Sequence, residues 1–366
     1  MAWGEYEFTA LTPHPVSRVY GASSTPAGDV ALVHDHQYVW RSTNAQDWTQ
    51  VLSTTQRTDS RMLNFKGDFY FLQSDDADPA FRYVHRSTDG GQTWAVWHSS
   101  TASLSLPNTT VRIDHSYIWQ GHVANDTLYL TNGANQVVRS DDLSTWTATN
   151  LTGLVTGVAY GNGVWVVAAD PGGTNSPTYY RSTDGVTFSS VLAGALPFFY
   201  GYACVVWHPE FSKFFALGRS GSNYVMRSSA DGITWASKQL NPLDPAYPPR
   251  FLEHVHTLLA VPGGIYAQAI AHTPDFHNPG SMYYAVEEQK GYYIAGGGAG
   301  AARFGDGVLL AGDLWAHDVA GSTPVIGLYG IPGAPPYSVL LTLDAWLGPE
   351  ITPEFWTSFN QTYEIP

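Results

Sequence analysis

The chain has 366 residues, and its 17 Lys and Arg against 31 Asp and Glu give a formal net charge of −14. Only 13% of residues are charged, while 44% are hydrophobic and 14% aromatic, which allows a substantial core and excludes intrinsic disorder. With four lysines in an acidic sequence, the chain lacks the basic clusters that nucleic-acid binding requires, so nucleic acid is excluded as a partner.

The cysteine content and the hydropathy exclude two further classes of protein. Cys204 is the single cysteine, so the sequence has neither an internal disulfide framework nor a cysteine zinc site, and the apolar neighbours of Cys204 predict a buried side chain. No stretch approaches 18 uninterrupted apolar residues, so we expect no membrane insertion. The first residues contain neither a basic nor an apolar region, so the sequence predicts no signal peptide.

A short pattern recurs five times along the first two thirds of the chain. In each copy an alternating aromatic and β-branched run leads to Arg-Ser, then to an Asp or Asn, often to a Gly, and finally to a Trp or Phe. The copies occupy residues 42–48, 87–94, 140–146, 182–188 and 228–235, and their final aromatic residues lie 42 to 52 residues apart. This period is typical of a four-stranded propeller blade, since helical solenoid units are about 33 or 34 residues long.

Each copy predicts a β-hairpin with a side-chain-stabilised turn. Ser and Asp side chains form hydrogen bonds to nearby backbone N–H groups in tight turns, and Gly supplies the positive φ that such turns favour. We therefore assign a structural and not a catalytic role to Ser42, Asn44, Trp48, Ser87, Asp89, Gly91, Thr93, Trp94, Ser140, Asp142, Thr145, Trp146, Ser182, Asp184, Thr187, Phe188, Ser229, Asp231, Thr234 and Trp235.

A second hairpin pattern precedes each copy. Its clearest example is the pair of apolar runs around Asn162-Gly163, a dipeptide that strongly favours a two-residue hairpin turn. Two hairpins per repeat give four strands. We therefore predict an all-β protein, a β-propeller of four-stranded blades, with seven blades favoured and six as the alternative; closing the ring leaves few exposed strand edges.

The domain organisation follows from the extent of the repeat. The propeller is expected to span residues 18–345, with degenerate blades over 245–345, where no further copy of the pattern is legible. Residues 1–17 are expected to provide an N-terminal strand, Tyr6–Ala10, that closes the ring. Residues 346–366 form a C-terminal tail in which Thr352-Pro353 predicts the start of a short helix.

The pattern Ser-x-Asp-x-Gly-x-Thr-Trp, complete in Ser87–Trp94, is similar to the Asp-box, or bacterial neuraminidase repeat. The copies at 42–48 and 140–146 depart from it because both lack the Gly and the first has Asn44 in place of Asp. In Asp-box proteins this hairpin joins the two outer strands of a blade, away from the functional face, so the resemblance implies the fold and says little about activity. The chain also resembles the Asp-box propellers of bacteriophage minor tail and other virion structural proteins.

Enzymatic chemistry finds little support in the residue patterns. Sialidases carry a Phe/Tyr-Arg-Ile/Leu-Pro motif that this sequence lacks, and five of its arginines belong to the repeat: Arg41, Arg86, Arg139, Arg181 and Arg227. Other glycoside hydrolases need a pair of carboxylates, and no spacing singles one out. The segments His34-Asp35-His36 and His254-Val255-His256 could each present two imidazoles, but a third metal ligand is missing. We therefore expect neither a metal nor a cofactor.

These observations favour a non-enzymatic structural or interaction protein on the tail or surface of a bacteriophage virion. Its expected partners are other virion or tail proteins and a host cell-surface glycan, for which Tyr117 and Trp119 are the candidate stacking residues. The alternative is a glycoside hydrolase, a sialidase-like enzyme or a lyase that works in the central funnel. A further alternative is a cellular assembly factor.

Overall fold

A computed structural model describes residues 21–329 apart from connecting segments, the longest of which are 101–120, 171–177, 193–204 and 241–253. Residues 1–20 and 330–366 lie outside the described part, and with them the predicted strand Tyr6–Ala10 and the predicted C-terminal helix. Cys204 also lies outside it. The described residues form strands and turns and contain no helix, hence none that could cross a membrane.

The strands are grouped into seven antiparallel sheets within the described residues, six of four strands and a last one of three. The first sheet contains β1 (Gly21–Ser24), β2 (Ala31–His34), β3 (Tyr38–Ser42) and β4 (Thr49–Ser53), and the second contains β5 (Asp59–Phe65), β6 (Asp68–Asp75), β7 (Asp78–Ser87) and β8 (Ala95–Ser100). The third sheet contains β9 (His122–Ala124), β10 (Thr127–Thr131), β11 (Gln136–Ser140) and β12 (Thr147–Thr152), and the fourth contains β13 (Leu154–Gly161), β14 (Val164–Asp170), β15 (Thr178–Ser182) and β16 (Ser189–Leu192).

The remaining three sheets follow in the same manner. They contain β17 (Val206–His208), β18 (Lys213–Ser220), β19 (Asn223–Ser229) and β20 (Ala236–Leu240); β21 (His254–Val261), β22 (Gly264–Thr273), β23 (Phe276–Ala285) and β24 (Lys290–Ala295); and β25 (Gly300–Phe304), β26 (Gly307–Trp315) and β27 (Ser322–Tyr329). Every sheet is a meander in which each strand pairs with the next one in the chain.

The first strands of the sheets form the centre of a ring. From β9 to β25 the first strands of successive sheets lie against one another, β1 lies against β5, and β25 lies against β1. The last described sheet therefore adjoins the first one. This is the architecture of a β-propeller and confirms the predicted fold class; the number of blades stays a prediction.

Hydrophobic side chains fill the spaces between successive sheets. One buried cluster joins the third sheet to the fourth through Tyr129, Val137, Trp165 and Val167. Equivalent clusters lie between the first and second, second and third, and fourth and fifth sheets. Because each strand alternates its side chains between two faces, each sheet contributes to the core on both sides. This explains the nearly continuous apolar run of β14, all of which is buried.

The meander fixes which loops share a face of the ring. In four antiparallel strands, the turn between strands one and two lies at the same end as the turn between strands three and four. The five repeat turns therefore lie at one end, which we call the turn face. The loops between strands two and three, and the connections from one sheet to the next, lie at the opposite end, which we call the connection face.

Candidate functional site

The repeat turns at the turn face are closed by their own side chains. In the complete copy, the Ser87 hydroxyl donates to Asp89 Oδ1 at 2.8 Å and accepts from the Gly91 N–H at 2.9 Å. The Asp89 carboxylate accepts from the Gln92 and Thr93 N–H groups and, at 2.6 Å, from the Thr93 hydroxyl. The Trp94 indole N–H donates to the Gly91 carbonyl at 3.2 Å.

The other copies use the same contacts with local variations. Their turn-forming hydrogen bonds join Ser42 to Asn44, Ser140 to Asp142, Ser182 to Asp184 and Ser229 to Asp231, and the acceptor in each turn then binds the N–H of Asp47, Thr145, Thr187 or Thr234. In the third copy Leu143, at φ 62°, adopts the left-handed conformation that Gly91, Gly185 and Gly232 have in the second, fourth and fifth copies. Leu143 packs against the apolar cluster between the second and third sheets, and this packing offsets the backbone strain.

These hydrogen bonds lower the pKa values of the turn carboxylates. The Thr93 hydroxyl and N–H hold the pKa of Asp89 at about 2, and the N–H groups of Thr234 and Ile233 hold the pKa of Asp231 at about 2. The N–H groups of Thr187 and Val186 likewise keep the pKa of Asp184 well below its usual range. Carboxylates that stay ionised and saturated with local hydrogen bonds are poor acids or bases near neutral pH.

The arginine of the repeat connects neighbouring sheets. Arg41 Nε donates to the Gly90 carbonyl at 2.8 Å, and Arg181 Nε donates to the Asp231 carbonyl at 2.9 Å, each in the repeat turn of the next sheet. Arg139 reaches the Asp184 carbonyl at 3.1 Å in the same way. In the second sheet Arg86 instead forms an ion pair with Asp68. Sequence reasoning placed these arginines in the repeat but did not predict that they join one sheet to the next.

The connection face carries ionisable residues at the centre of the ring. Each chain segment enters a first strand from this face, so the first residue of every such strand lies near the axis. At two of these positions the residue is ionisable: Asp59 begins β5 and His254 begins β21. His122 begins the three-residue strand β9, but it is half-buried opposite Tyr129, two residues before the hairpin turn ends the strand, and so lies toward the turn face. The sequence contained a signal for His254, in the His254-Val255-His256 segment, but none that grouped it with Asp59.

A β-bulge follows His254 in the first strand of the sixth sheet. The register of β21 with β22 shifts between Val255 and Thr257, so His256 is the additional residue. The fourth sheet has a bulge at the corresponding place, where Thr156 is the additional residue between Val155 and Gly157. Bulges re-aim side chains and recur next to active sites, so the segment after His254 is a candidate position for a functional histidine.

A buried polar network supports the strand that begins with Asp59. Ser60, the next residue, lies 3.1 Å from His34 Nδ1 across the boundary between the first and second sheets. Its register partner Gln73 donates to the Thr54 hydroxyl at 2.8 Å, and Thr54 donates to the Gln37 carbonyl. His34, with 2% of its surface exposed, is therefore part of a structural network.

The remaining sequence-predicted residues give no assembled site. Tyr117 and Trp119, the candidate glycan-stacking residues, lie outside the described residues, as do Asp35 and His36. Within the part of the chain that the structure describes, no group of three His, Cys, Asp or Glu side chains is arranged to hold a metal ion.

Comparison with known proteins supports the fold. No protein-family model and no curated protein sequence matches the chain. Among solved structures, the chain is similar to a virginiamycin B lyase from Staphylococcus aureus, with a TM-score of 0.56 and 10% identity over 89% of this chain and 98% of that one. It is also similar to a streptogramin B lyase structure, with a TM-score of 0.54 and 11% identity over 88% and 96% of the two chains. At this identity the likeness establishes the propeller fold.

These similarities correct the function expected from the sequence. A non-enzymatic virion component was favoured, whereas the two similar structures are enzymes with lyase activity in their names. The expectation was wrong because the turn pattern on which it depended closes hairpins on one face of a propeller and carries no information about the opposite face. Enzymatic alternatives are accordingly better supported than the virion reading.

Proposed function

We propose that the protein is an enzyme that breaks a covalent bond by general acid–base chemistry at the axis of the connection face. The observation that carries this proposal is the placement of Asp59 and His254 at the connection-face ends of two central strands. The names of the two similar propellers favour an elimination, the reaction of a lyase, over other classes.

The chemistry of these side chains suits an elimination. An imidazole titrates close to neutral pH, so one histidine can accept a proton from a carbon next to a carbonyl while another group returns a proton to the leaving group. The C–H electron pair becomes the new C=C bond as the bond to the leaving group breaks, and the balance needs no redox partner. In this proposal His254 is the base and Asp59 is the candidate for the second group.

The turn face is unsuited to this chemistry. Its aspartates Asp89, Asp184 and Asp231 are committed to hydrogen bonds within their own turns, and their pKa values are held far below neutral pH. Removing any of them would open a turn. We therefore assign a stabilising role to the turn face and a catalytic role to the connection face.

The test is an activity screen with matched variants. β-(4-Nitrophenoxy) ketones and esters report elimination through release of nitrophenolate, and aryl glycosides and simple aryl esters report hydrolysis in parallel. We expect elimination activity in the wild type and a loss of about 100-fold or more in kcat/KM for His254→Gln, since acid–base groups contribute about 10²–10⁴-fold. Thermal stability is measured for every variant.

His98→Gln is the control, because His98 lies on β8, the outermost strand of the second sheet. Its activity should equal that of the wild type. Retention of full activity in His254→Gln would contradict the assignment of the site. Turnover of glycosides alone would contradict the reaction class and favour the second candidate.

That second candidate is a glycoside hydrolase, favoured by one feature of the second sheet. Asp75 and Asp78 stand opposite each other in the register where β6 leads to β7, at the connection face. Two carboxyl groups at a separation of about 5–10 Å are what glycoside hydrolysis requires. Asp75→Asn and Asp78→Asn would each abolish turnover of an aryl glycoside and leave elimination unchanged.

We also propose that the five turns are Asp-box repeats and that the propeller domain spans residues 18–345. The Ser–Asp hydrogen bonds and the left-handed residues Gly91, Leu143, Gly185 and Gly232 in four of the turns support the first proposal. The adjacency of β25 and β1 supports the second. The partners expected from the sequence stay predictions.

A further inference from the structure

The fifth repeat copy has one residue more between its arginine and its aspartate than the other four. Its sequence is Arg227-Ser228-Ser229-Ala230-Asp231, where the fourth copy has Arg181-Ser182-Thr183-Asp184. The turn is nevertheless closed in the usual way, by Ser229 and Asp231. The additional residue therefore lies in the strand, between the arginine and the turn.

An insertion in a strand moves every earlier side chain to the other face of the sheet. The register shows this displacement. Arg181 stands opposite Val166 and Arg227 stands opposite Ala216, and both partners belong to the buried cluster between the fourth and fifth sheets. Arg181 thus faces forward to the fifth sheet, as the other repeat arginines face their next sheet, whereas Arg227 faces back to the fourth.

The displacement places a cation in an interior that does not neutralise it. Arg227 retains only 8% of its surface, and its Nε has no hydrogen-bond partner. Among the described residues no carboxylate forms an ion pair with it. Burial lowers the pKa of the Arg227 guanidinium, and the nearby Tyr179 on β15 acts in the opposite direction.

Isolated buried charges are strongly unfavourable, and proteins pair them or fill the site with a ligand. Arg41, Arg139 and Arg181 satisfy this requirement through turn carbonyls. Arg227 cannot bind the next sheet in this way, because it faces back to the fourth sheet. The guanidinium fork is suited to oxyanions, to which it donates two parallel hydrogen bonds.

We propose that Arg227 forms a binding site for a small oxyanion, a carboxylate or phosphate group, between the fourth and fifth sheets. The anion accepts hydrogen bonds from the guanidinium, and the hydroxyl of Tyr179 lies on the same side. With 8% of the residue exposed, the site takes an ion of few atoms or the end of a narrow acidic group. The site is separate from the connection face and does not depend on the proposed enzymatic activity.

The test measures the thermal unfolding of the whole chain while inorganic phosphate or acetate is added at constant ionic strength, with chloride as the third arm. A ligand that binds only the folded state raises the midpoint temperature in a saturable manner. We expect a saturable rise with phosphate or acetate and none with chloride in the wild type. The rise should be absent in Arg227→Met and present in Arg181→Met, which removes the neighbouring arginine of the same boundary.

Comparison of acetate with phosphate identifies the chemical class of the ligand. A rise with acetate alone points to a carboxylate, which can come from a metabolite or from an acidic side chain of a partner; a rise with phosphate alone points to a phosphate group. The second readout is the NMR resonance of the Arg227 Nε–Hε group in the wild type, which should shift when the anion is added. This measurement tests the proposal even if Arg227→Met does not fold. Equal rises in wild type and Arg227→Met, an unshifted resonance, or the same rise with chloride would each overturn the proposal.

Discussion

Arg181 donates a hydrogen bond from Nε to the backbone carbonyl of Asp231, 50 residues later in the chain and in the next sheet. The side chain of Asp231 closes the turn whose carbonyl receives this bond, so one residue stabilises its hairpin with its carboxylate and joins two sheets with its backbone. The repeat pattern thus holds each hairpin together and also connects successive hairpins around the ring.

Arg181→Met should therefore reduce the free energy of unfolding without changing the hairpin turns. A hydrogen bond from a charged donor in a partly exposed setting is worth about 1 kcal/mol. Urea unfolding followed by fluorescence measures the change. Lys238→Met is the control, since Lys238 is an exposed cation on β20, and it should change stability by less than half as much. Equal losses in the two variants would indicate a general effect of charge.

Asp89→Asn should remove a pH-dependent part of the stability. The pKa of Asp89 is about 2 in the folded state because the Thr93 hydroxyl and N–H stabilise the carboxylate, whereas the unfolded value is about 3.9. The stabilisation is fully present above the unfolded value and is lost as the pH falls through the folded one.

The urea midpoints of wild type and Asp89→Asn, measured between pH 7 and pH 2, should therefore differ above pH 4 and converge toward pH 2. Asp47→Asn, which alters an exposed acid in the first repeat turn, serves as the comparison. A difference between wild type and Asp89→Asn that is constant over this range would show that the carboxylate charge is unimportant.

Gly161→Ala should destabilise the boundary between the fourth and fifth sheets. A Cβ at Gly161 would overlap the indole ring of Trp207, which packs on Phe214 at a centroid distance of 4.7 Å. Overpacking of this kind costs about 1–3 kcal/mol. Chemical denaturation measures the free energy of unfolding of each variant. Because the two residues are in contact, the double variant Gly161→Ala with Trp207→Leu should lose less stability than the sum of the two single losses. Additive losses would contradict the overlap.

His208 should be present as the Nε2–H tautomer. Its Nε2 lies 2.8 Å from the Val261 carbonyl and 3.0 Å from the Gly264 carbonyl, and two acceptors require a donor. The ¹⁵N chemical shifts of the ring identify the tautomer directly. His208→Ala should cost about 2 kcal/mol, because two buried carbonyls of the sixth sheet lose their partner. An Nδ1–H signal would contradict the assigned geometry.

Much of the local structure was accessible from the sequence. The repeat turns are built from hydrogen bonds between residues two to four positions apart, such as Ser87 to Asp89 and Asp89 to Thr93, so residue spacing alone predicts them. The same holds for the Asn162-Gly163 hairpin, in which both residues adopt positive φ. From these units and their period, the all-β propeller fold followed.

The contacts between sheets could not be predicted in this way. Arg181 and Asp231, Gly161 and Trp207, and His208 and Val261 are about 50 residues apart, and no local rule specifies which blade surfaces meet. The grouping of Asp59 and His254 likewise requires the ring, because these residues have nothing in common except that each begins a central strand.

The amino-acid sequence by itself determined the hairpins, because the forces that close them act within a few residues. Tertiary structure decided which neighbouring sheet each side chain meets: Arg181 faces the fifth sheet, whereas Arg227 faces back to the fourth. It also decided that the conspicuous aspartates of the repeats serve stability, since their lone pairs are already occupied by their own turns.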